Sequence, residues 1–329
     1  MKLGIVGLGR MGANMARRLM RGGHDCVVFD VNAAAREDLA AEGAAVADSL
    51  AALVAVLPTP RTVWVMVPSG VITDQTVITL AQVLAPGDTL IDGGNSHFKS
   101  TVARAEMLAA MHIDMLDVGT SGGVHGLERG YCLMVGGKPQ VVARNAAIFE
   151  TLAPGIGDVT RTPARTRGLA SGDTAEHGWL HCGPSGAGHY VKMIHNGIEY
   201  GMMQAFAEGF ALMESAASSA LAENRRFDLD TGAIAELWRR GSVVTSWLLD
   251  LTADALAETP DLAPYSPEVQ DSGEGRWTVE AAIDQSIPAP VLTAALYERF
   301  RSRQDNAFAD RLLSAMRYKF GGHTAPKAD

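Results

Sequence analysis

The sequence predicts an α/β chain in which a doubly wound parallel sheet, with helices on both faces, precedes an all-α domain. Three observations carry this prediction. Short apolar, β-branched runs alternate with alanine- and leucine-rich helical stretches over the first half of the chain. Glycines stand at the ends of those runs, where strands turn into helices. Beyond Ser185, strand-like runs are nearly absent and the pattern is helical almost throughout.

The predicted strands are Leu3–Val6, Cys26–Phe29, Val63–Val67, Thr89–Ile91, Met115–Val118 and Tyr131–Val135. Most lack the period-two alternation of a half-exposed strand, which suits burial on both faces. Helical stretches such as Ala13–Arg21 and Ala33–Ala41 separate the first few, so the strands are expected to run parallel. In the second half, breaks fall at Asn224–Thr231, Thr259–Pro267 and Ile287–Pro290. The stretch Thr162–Gly188, rich in proline and glycine, marks the boundary between a domain over 1–180 and another over 181–329.

With 329 residues, 47% of them hydrophobic and 20% charged, the chain can build a substantial core. A formal net charge of -9 argues against a general nucleic-acid binder, which needs a basic face. No apolar run approaches the roughly 18 residues of a membrane span. The opening MKLGIVGLGRMG, interrupted by Arg10, does not read as a signal peptide. Cys26, Cys132 and Cys182 are too few and too scattered for a disulfide framework, so a reducing, cytoplasmic setting is expected.

Gly7-Leu8-Gly9-Arg10-Met11-Gly12 closes the first strand and opens a helix. That context makes a GxGxxG motif a Rossmann-type dinucleotide site, because its glycines admit a pyrophosphate to the helix N-terminus. Asp30 ends the second strand 18 residues after Gly12, about where a carboxylate meets the adenosine ribose. A carboxylate there accepts from a free 2′-hydroxyl and repels a 2′-phosphate, so NAD is preferred. Arg10 and Arg36 lie near enough in sequence to keep NADP possible. The loops Val67-Pro68-Ser69-Gly70, Asp92-Gly93-Gly94-Asn95-Ser96 and Gly119-Thr120-Ser121-Gly122-Gly123 follow strands and are expected to line the same crevice. Val67, Pro68 and Asn95 join the cofactor set on that basis. Each loop is equally compatible with ordinary turn chemistry taken singly.

The segment Gly186–Ser215 keeps an apolar helical stripe at 191, 194, 198, 202, 206, 210 and 213. Lys192, His195, Asn196 and Glu199 occupy another face, and Glu199 returns to within about 20° of Lys192. Such a row is either an idle exposed face or a set of reactive groups. Glycines at 186, 188, 197 and 201 favour the second, since each weakens a helix unless something approaches closely.

The segments GLGRMG, VMVPSG, DGGNSHFKS, DVGTSGGVHGLERGYCLMVGG and HCGPSGAGHYVKMIHNGIEYGMMQAFAEGF resemble decarboxylating 6-phosphogluconate dehydrogenases, in the β-hydroxyacid dehydrogenase superfamily. RRGSVVTSWLLDL, GEGRWT and RYKFGGHT extend the likeness over nearly the whole chain, whose length is that of the family's short form. KMIHNGIEY is its most specific part. The resemblance implies oxidation and decarboxylation of 6-phosphogluconate to ribulose 5-phosphate, with a nicotinamide cofactor and no metal. Lys192 then matches the base, and burial beside substrate-binding cations favours its neutral form. Glu199 matches the acid. Asn95, Ser121, Gly122, Gly123, His195 and Asn196 match carboxylate and hydroxyl ligands, while Tyr200, Arg276 and Arg299 match phosphate ligands. Arg276 replaces the family's usual lysine, and Asp30 departs from the asparagine-arginine pattern of NADP-dependent members. Arg317 and His323 match residues that complete a neighbouring subunit's site, implying a homodimer or homotetramer. Gly321 and Gly322 would turn the chain so that His323 enters the pocket.

Three other readings compete. His177, His181, Cys182 and His189 fit no common zinc spacing. A β-hydroxyacid dehydrogenase acting on an unphosphorylated acid leaves Arg276, Arg299 and Arg317 without a phosphate. A non-catalytic NAD sensor has no need of Lys192 and Glu199.

Overall fold

The computed structural model describes residues 1–166, 173–304 and 307–321. It divides into two compact units, Met1–His195 and the chain from Asn196 onward. In the first, β1 (Lys2–Val6), β2 (Asp25–Phe29), β3 (Ala45–Val46), β4 (Thr62–Val65), β5 (Thr89–Asp92), β6 (Asp114–Ser121), β7 (Cys132–Gly136) and β8 (Trp179–Gly183) form one sheet. Its order is β3-β2-β1-β4-β5-β6-β7-β8.

Alternate residues of β1 serve opposite cores. Leu3 and Ile5 pack with Met15, Leu19, Ile148 and Phe149, whereas Val6 packs with Leu53, Val77, Leu80 and Leu108. Both faces are therefore covered, as the unbroken apolar runs require.

The sheet is not wholly parallel. β7 runs antiparallel to β6, with Ser121 opposite Cys132 and Asp117 opposite Gly136. Only a 3-10 turn (Gly123–His125) and one helical turn (Gly126–Arg129) join the two strands, too short a link for a parallel crossover. Two strands are additional to the sequence prediction. β3 has two residues, and β8 lies inside the segment read as a boundary. The fourth strand stops at Val65, which leaves Val67 and Pro68 in the loop beyond it.

The second unit carries the helices Thr231–Trp238, Trp247–Glu258, Glu274–Asp284, Pro290–Ser302 and Ala307–Gly321. A break between Trp238 and Trp247, absent from the prediction, holds Gly241 at φ +88° and ends where Ser246 caps the next helix. The helix Ala307–Gly321 runs through Gly321, so no turn begins there; Gly322 and His323 lie outside the described residues.

Over its first half the helix Ala187–Glu214 reverses the expected amphipathicity, whereas Phe206 and Phe210, further along the predicted stripe, pack against the cluster of Ala235, Leu249, Ala253 and Leu256. Val191, Ile198 and Met202, on the apolar stripe, are exposed, while His189, Lys192, Asn196 and Tyr200 are buried. Among the described residues, no helix is long and apolar enough to cross a membrane.

Candidate active site at the carboxyl edge of the sheet

The GxGxxG turn is built by steric necessity at two of its glycines. Gly7 has φ +94°, and a Cβ there would lie 2.3 Å from the Met66 carbonyl oxygen. A Cβ on Gly12 would lie 2.0 Å from the Gly7 carbonyl oxygen, so helix and strand meet only without one. Gly9 differs: nothing lies within 4 Å of its missing Cβ. That open space faces the start of the helix Arg10–Arg21, where Gly9 supplies no side-chain cap and the first turn carries no acid. Amide groups left so at a helix N-terminus suit a phosphate. The residues present fit a dinucleotide.

Asp30 follows β2. Its Oδ2 accepts from the Leu8 amide at 2.6 Å and its Oδ1 from the Asn32 amide at 2.8 Å. The carboxylate thus ties the glycine turn to the end of β2. Arg36 donates through Nη1 to the Asp30 carbonyl at 2.6 Å and lies 6.0 Å from the Phe29 ring. Arg10 is exposed at the start of the first helix.

The loops after β4 and β5 adjoin, since a Cβ on Gly94 would lie 3.0 Å from the Val67 carbonyl oxygen. Buried Asp92 accepts from the Gly94 amide (3.1 Å), Ser96 Oγ (2.7 Å) and Arg104 Nη1 (3.0 Å). Those bonds leave Asn95 as the exposed residue of an otherwise buried turn. Gly122 (φ +139°) and Gly123 (φ +54°) then turn the chain sharply after Ser121.

Asp117, fully buried on β6, accepts from the Gly186 amide at 2.7 Å and the His189 amide at 2.9 Å. It caps the helix that carries Lys192. Further along β6, a Cβ on Gly119 would lie 2.3 Å from Lys192 Cβ and 2.7 Å from the Gly188 carbonyl oxygen. At the end of the strand, Ser121 Oγ stands 3.4 Å from His195 Nε2. Strand and helix therefore run side by side, with Lys192 8% exposed. The idle-face alternative does not fit that burial.

In the second unit, Glu274 is 2% exposed and accepts from Asn196 Nδ2 at 3.1 Å and Ser272 Oγ at 2.5 Å. Tyr200 Oη accepts from the Ser272 amide at 3.2 Å, and the Arg299 guanidinium lies 3.5 Å from the Tyr200 ring centre. Glu199 is half-buried. Arg276 grips Asp271 through Nε and Nη2 at 2.8 and 3.0 Å, and Arg303 adds a 2.8 Å bond. The bonds from Arg276 hold the Asp271 carboxyl down at about 2 against the effect of burial, with Arg303 acting in the same direction. Arg317 is exposed on the helix Ala307–Gly321.

Two of the histidines of the zinc reading, His181 and His189, are otherwise engaged. His181 Nε2 lies 2.8 Å from the carbonyl oxygens of Gly137 and Gly183, and His189 Nδ1 lies 2.7 Å from Thr101 Oγ1. Among the described residues, no cluster of His, Cys, Asp and Glu is arranged to hold a metal ion.

Residues 2–161 match the family model of the NAD binding domain of 6-phosphogluconate dehydrogenase, and residues 188–324 match that of its C-terminal domain. An NAD(+)-dependent, decarboxylating 6-phosphogluconate dehydrogenase of Haloferax volcanii is 41% identical, with all of both chains covered. The chain belongs to the 6-phosphogluconate dehydrogenase family. YqeC of Bacillus subtilis, provisionally named a 6-phosphogluconate dehydrogenase, is 38% identical over 99% of this chain and 100% of its own.

Two solved structures share the fold. A Plasmodium falciparum 6-phosphogluconate dehydrogenase superposes with a TM-score of 0.77 at 24% identity, covering 100% of this chain and 67% of that one. A Mycobacterium tuberculosis 3-hydroxyisobutyrate dehydrogenase gives 0.66 at 21% identity, over 89% and 90%. As a 6-phosphogluconate dehydrogenase family member, the chain holds a nicotinamide-binding domain. Its supporting carboxylates Asp92, Asp117, Asp271 and Glu274 escape sequence reasoning. All four stand in or beside quoted motifs, and Asp92, Asp271 and Glu274 have near neighbours among their donors; their more distant partners Arg104, Arg303 and Asn196, like the Gly186 and His189 amides on Asp117, meet them only through folding.

Proposed function

We propose that this protein oxidises and decarboxylates 6-phosphogluconate to ribulose 5-phosphate, with NAD preferred over NADP. The observation that carries it is the burial of Lys192 on a helix packed against β6, in a chain with full-length likeness to an NAD-dependent relative. The cofactor, when bound along the turn Gly7–Gly12, supplies the acceptor for the C3 hydride. Lys192 takes the proton of the C3 hydroxyl as that carbon becomes a ketone. The C1–C2 bond of the 3-keto acid then breaks and CO2 leaves, its electron pair passing into the ketone. Lys192 returns its proton to the developing enolate oxygen. Glu199, two turns along the helix, protonates the carbon that lost CO2 while Lys192 takes back the enol O–H proton, leaving the ketone of ribulose 5-phosphate. The β-keto group is itself the electron sink, so these steps call for no metal.

Asn95, Ser121, Gly122, Gly123, His195 and Asn196 are assigned to the carboxylate and hydroxyls. Tyr200, Arg276 and Arg299 are assigned to the phosphate, joined by Arg317 and His323 from a second copy in a homodimer or homotetramer. For Arg276 this requires release of at least part of its grip on Asp271.

A test mixes the purified protein with 6-phosphogluconate and NAD or NADP, following reduced cofactor and CO2 together. Equal yields of both products, with the higher kcat/KM on NAD, are expected. Reduction without CO2 overturns the decarboxylation. Turnover of 3-hydroxyisobutyrate in place of the phosphorylated sugar acid supports the β-hydroxyacid alternative, and no turnover of either supports a sensor.

A further inference from the structure

The buried carboxylate of Glu274 is unassigned by the reaction, and its surroundings give it a task. Glu274 begins the helix Glu274–Asp284, where a negative charge also complements the helix dipole. Its Oε2 is pinned by Ser272 Oγ at 2.5 Å, so the carboxylate is fixed in rotation. Its Oε1 accepts from Asn196 Nδ2 at 3.1 Å. Both carboxylate oxygens of Glu274 therefore accept, and an amide has a donor end and an acceptor end. Facing Glu274, Asn196 can present only its NH2, and its carbonyl oxygen must point the other way. A flip would set two acceptors against each other in a buried site, where an unmade bond is costly.

We infer that Glu274 is a positioning residue that fixes the polarity of Asn196, turning its carbonyl oxygen outward to accept from a substrate hydroxyl. The inference rests on the proposed function for the identity of that substrate. Asn196 then reads a hydroxyl donor and contributes little to holding a carboxylate, which is an acceptor. Gly197, the next residue, keeps this register: a Cβ there would lie 2.6 Å from Thr278 Cγ2, and Thr278 Oγ1 donates to the Glu274 carbonyl at 2.8 Å.

The experiment compares the full-length wild type with Glu274→Met, Asn196→Ala and the double variant. Methionine fills similar volume and removes both acceptors. Glu274→Met is expected to raise KM for 6-phosphogluconate about tenfold, with kcat changed less than about threefold and KM for NAD unmoved. In the Asn196→Ala background it should add less than about twofold. Glu274→Gln, which keeps one acceptor, should recover part of the loss and serves in its place if Glu274→Met does not fold.

A readout independent of turnover is the side-chain amide NMR signal of Asn196, assigned by its loss in Asn196→Ala. It should shift in Glu274→Met. An unmoved KM in the folded variant, an equal effect in the Asn196→Ala background, or an unmoved amide signal each overturns the inference. A wild type inert towards 6-phosphogluconate, with the amide shift intact, counts against the functional reading and leaves the positioning of Asn196 standing.

Discussion

Asp30 performs two tasks with one carboxylate. It anchors the Leu8 and Asn32 amides, and under the proposed function it also selects the cofactor. Asparagine largely separates the two, because it retains an acceptor for Leu8 and loses the charge, giving up only the bond from the Asn32 amide. Asp30→Asn is expected to shift the NAD-to-NADP ratio of kcat/KM towards NADP by about tenfold or more, since removing one nearby charge is worth about 1–4 kcal/mol. Under the proposed function, Arg36, bonded to the Asp30 carbonyl, is the nearby cation that a 2′-phosphate would meet. Steady-state kinetics with both cofactors check it, and an unchanged ratio removes Asp30 from cofactor choice. Asp30 was legible because its distance from a glycine turn is set by local βαβ geometry. Glu274 was not: GEGRWT shows a carboxylate, yet Asn196, 78 positions away, is brought to it only by folding.

Strand β6 and the helix Ala187–Glu214 work as a pair. Their approach depends on Gly119 and Gly188, and a Cβ on Gly188 would lie 2.6 Å from the Asp117 carbonyl oxygen. Gly119→Ala must push the helix outward at Lys192. Overpacking of this kind costs about 1–3 kcal/mol in stability. Under the proposed function, a displacement of Lys192 by about 1 Å lowers kcat by about a hundredfold. Cofactor affinity should hold, because the turn Gly7–Gly12 is remote in the sheet order. Calorimetric NAD binding alongside kcat checks this; a normal kcat would show that Lys192 needs no such support. The sequence reveals the helix and its reactive row, since both follow from a 3.6-residue period. It does not reveal which face is buried, because periodicity identifies a stripe and not its partner. β8 was hidden for a related reason: Trp179-Leu180-His181-Cys182-Gly183 has no β-branched residue, and pairing with β7 makes it a strand.

At the scale of the whole molecule, the terminal helix Ala307–Gly321 is notable for its exposure. Phe308, Leu312, Leu313, Met316 and Tyr318 are all exposed. That many exposed apolar side chains on one short helix suit contact with a second copy. Under the proposed function, Arg317 completes the neighbour's site. Mixing Arg317→Ala with Lys192→Met subunits, each inactive alone, should restore up to about a quarter of wild-type activity in a randomly assorted dimer. No recovery, with exchange verified by mass, would place Arg317 outside the partner's chemistry.

The reversal at β7 has a consequence of parity. β1, β2, β4, β5 and β6 all point one way, so each of their exits opens on the same rim. A helix leaving β8 in that same direction would start at the rim and travel away from it. Because β7 and β8 point the other way, the chain emerges level with Asp117 and must climb back beside β6. Gly186 and His189, Lys192 and then His195 pass Asp117, Gly119 and Ser121 in turn. One change of direction in the sheet thus delivers a lysine and a histidine to the rim from below. A second reversal would send both to the opposite rim, with every residue of the motif still present in the sequence.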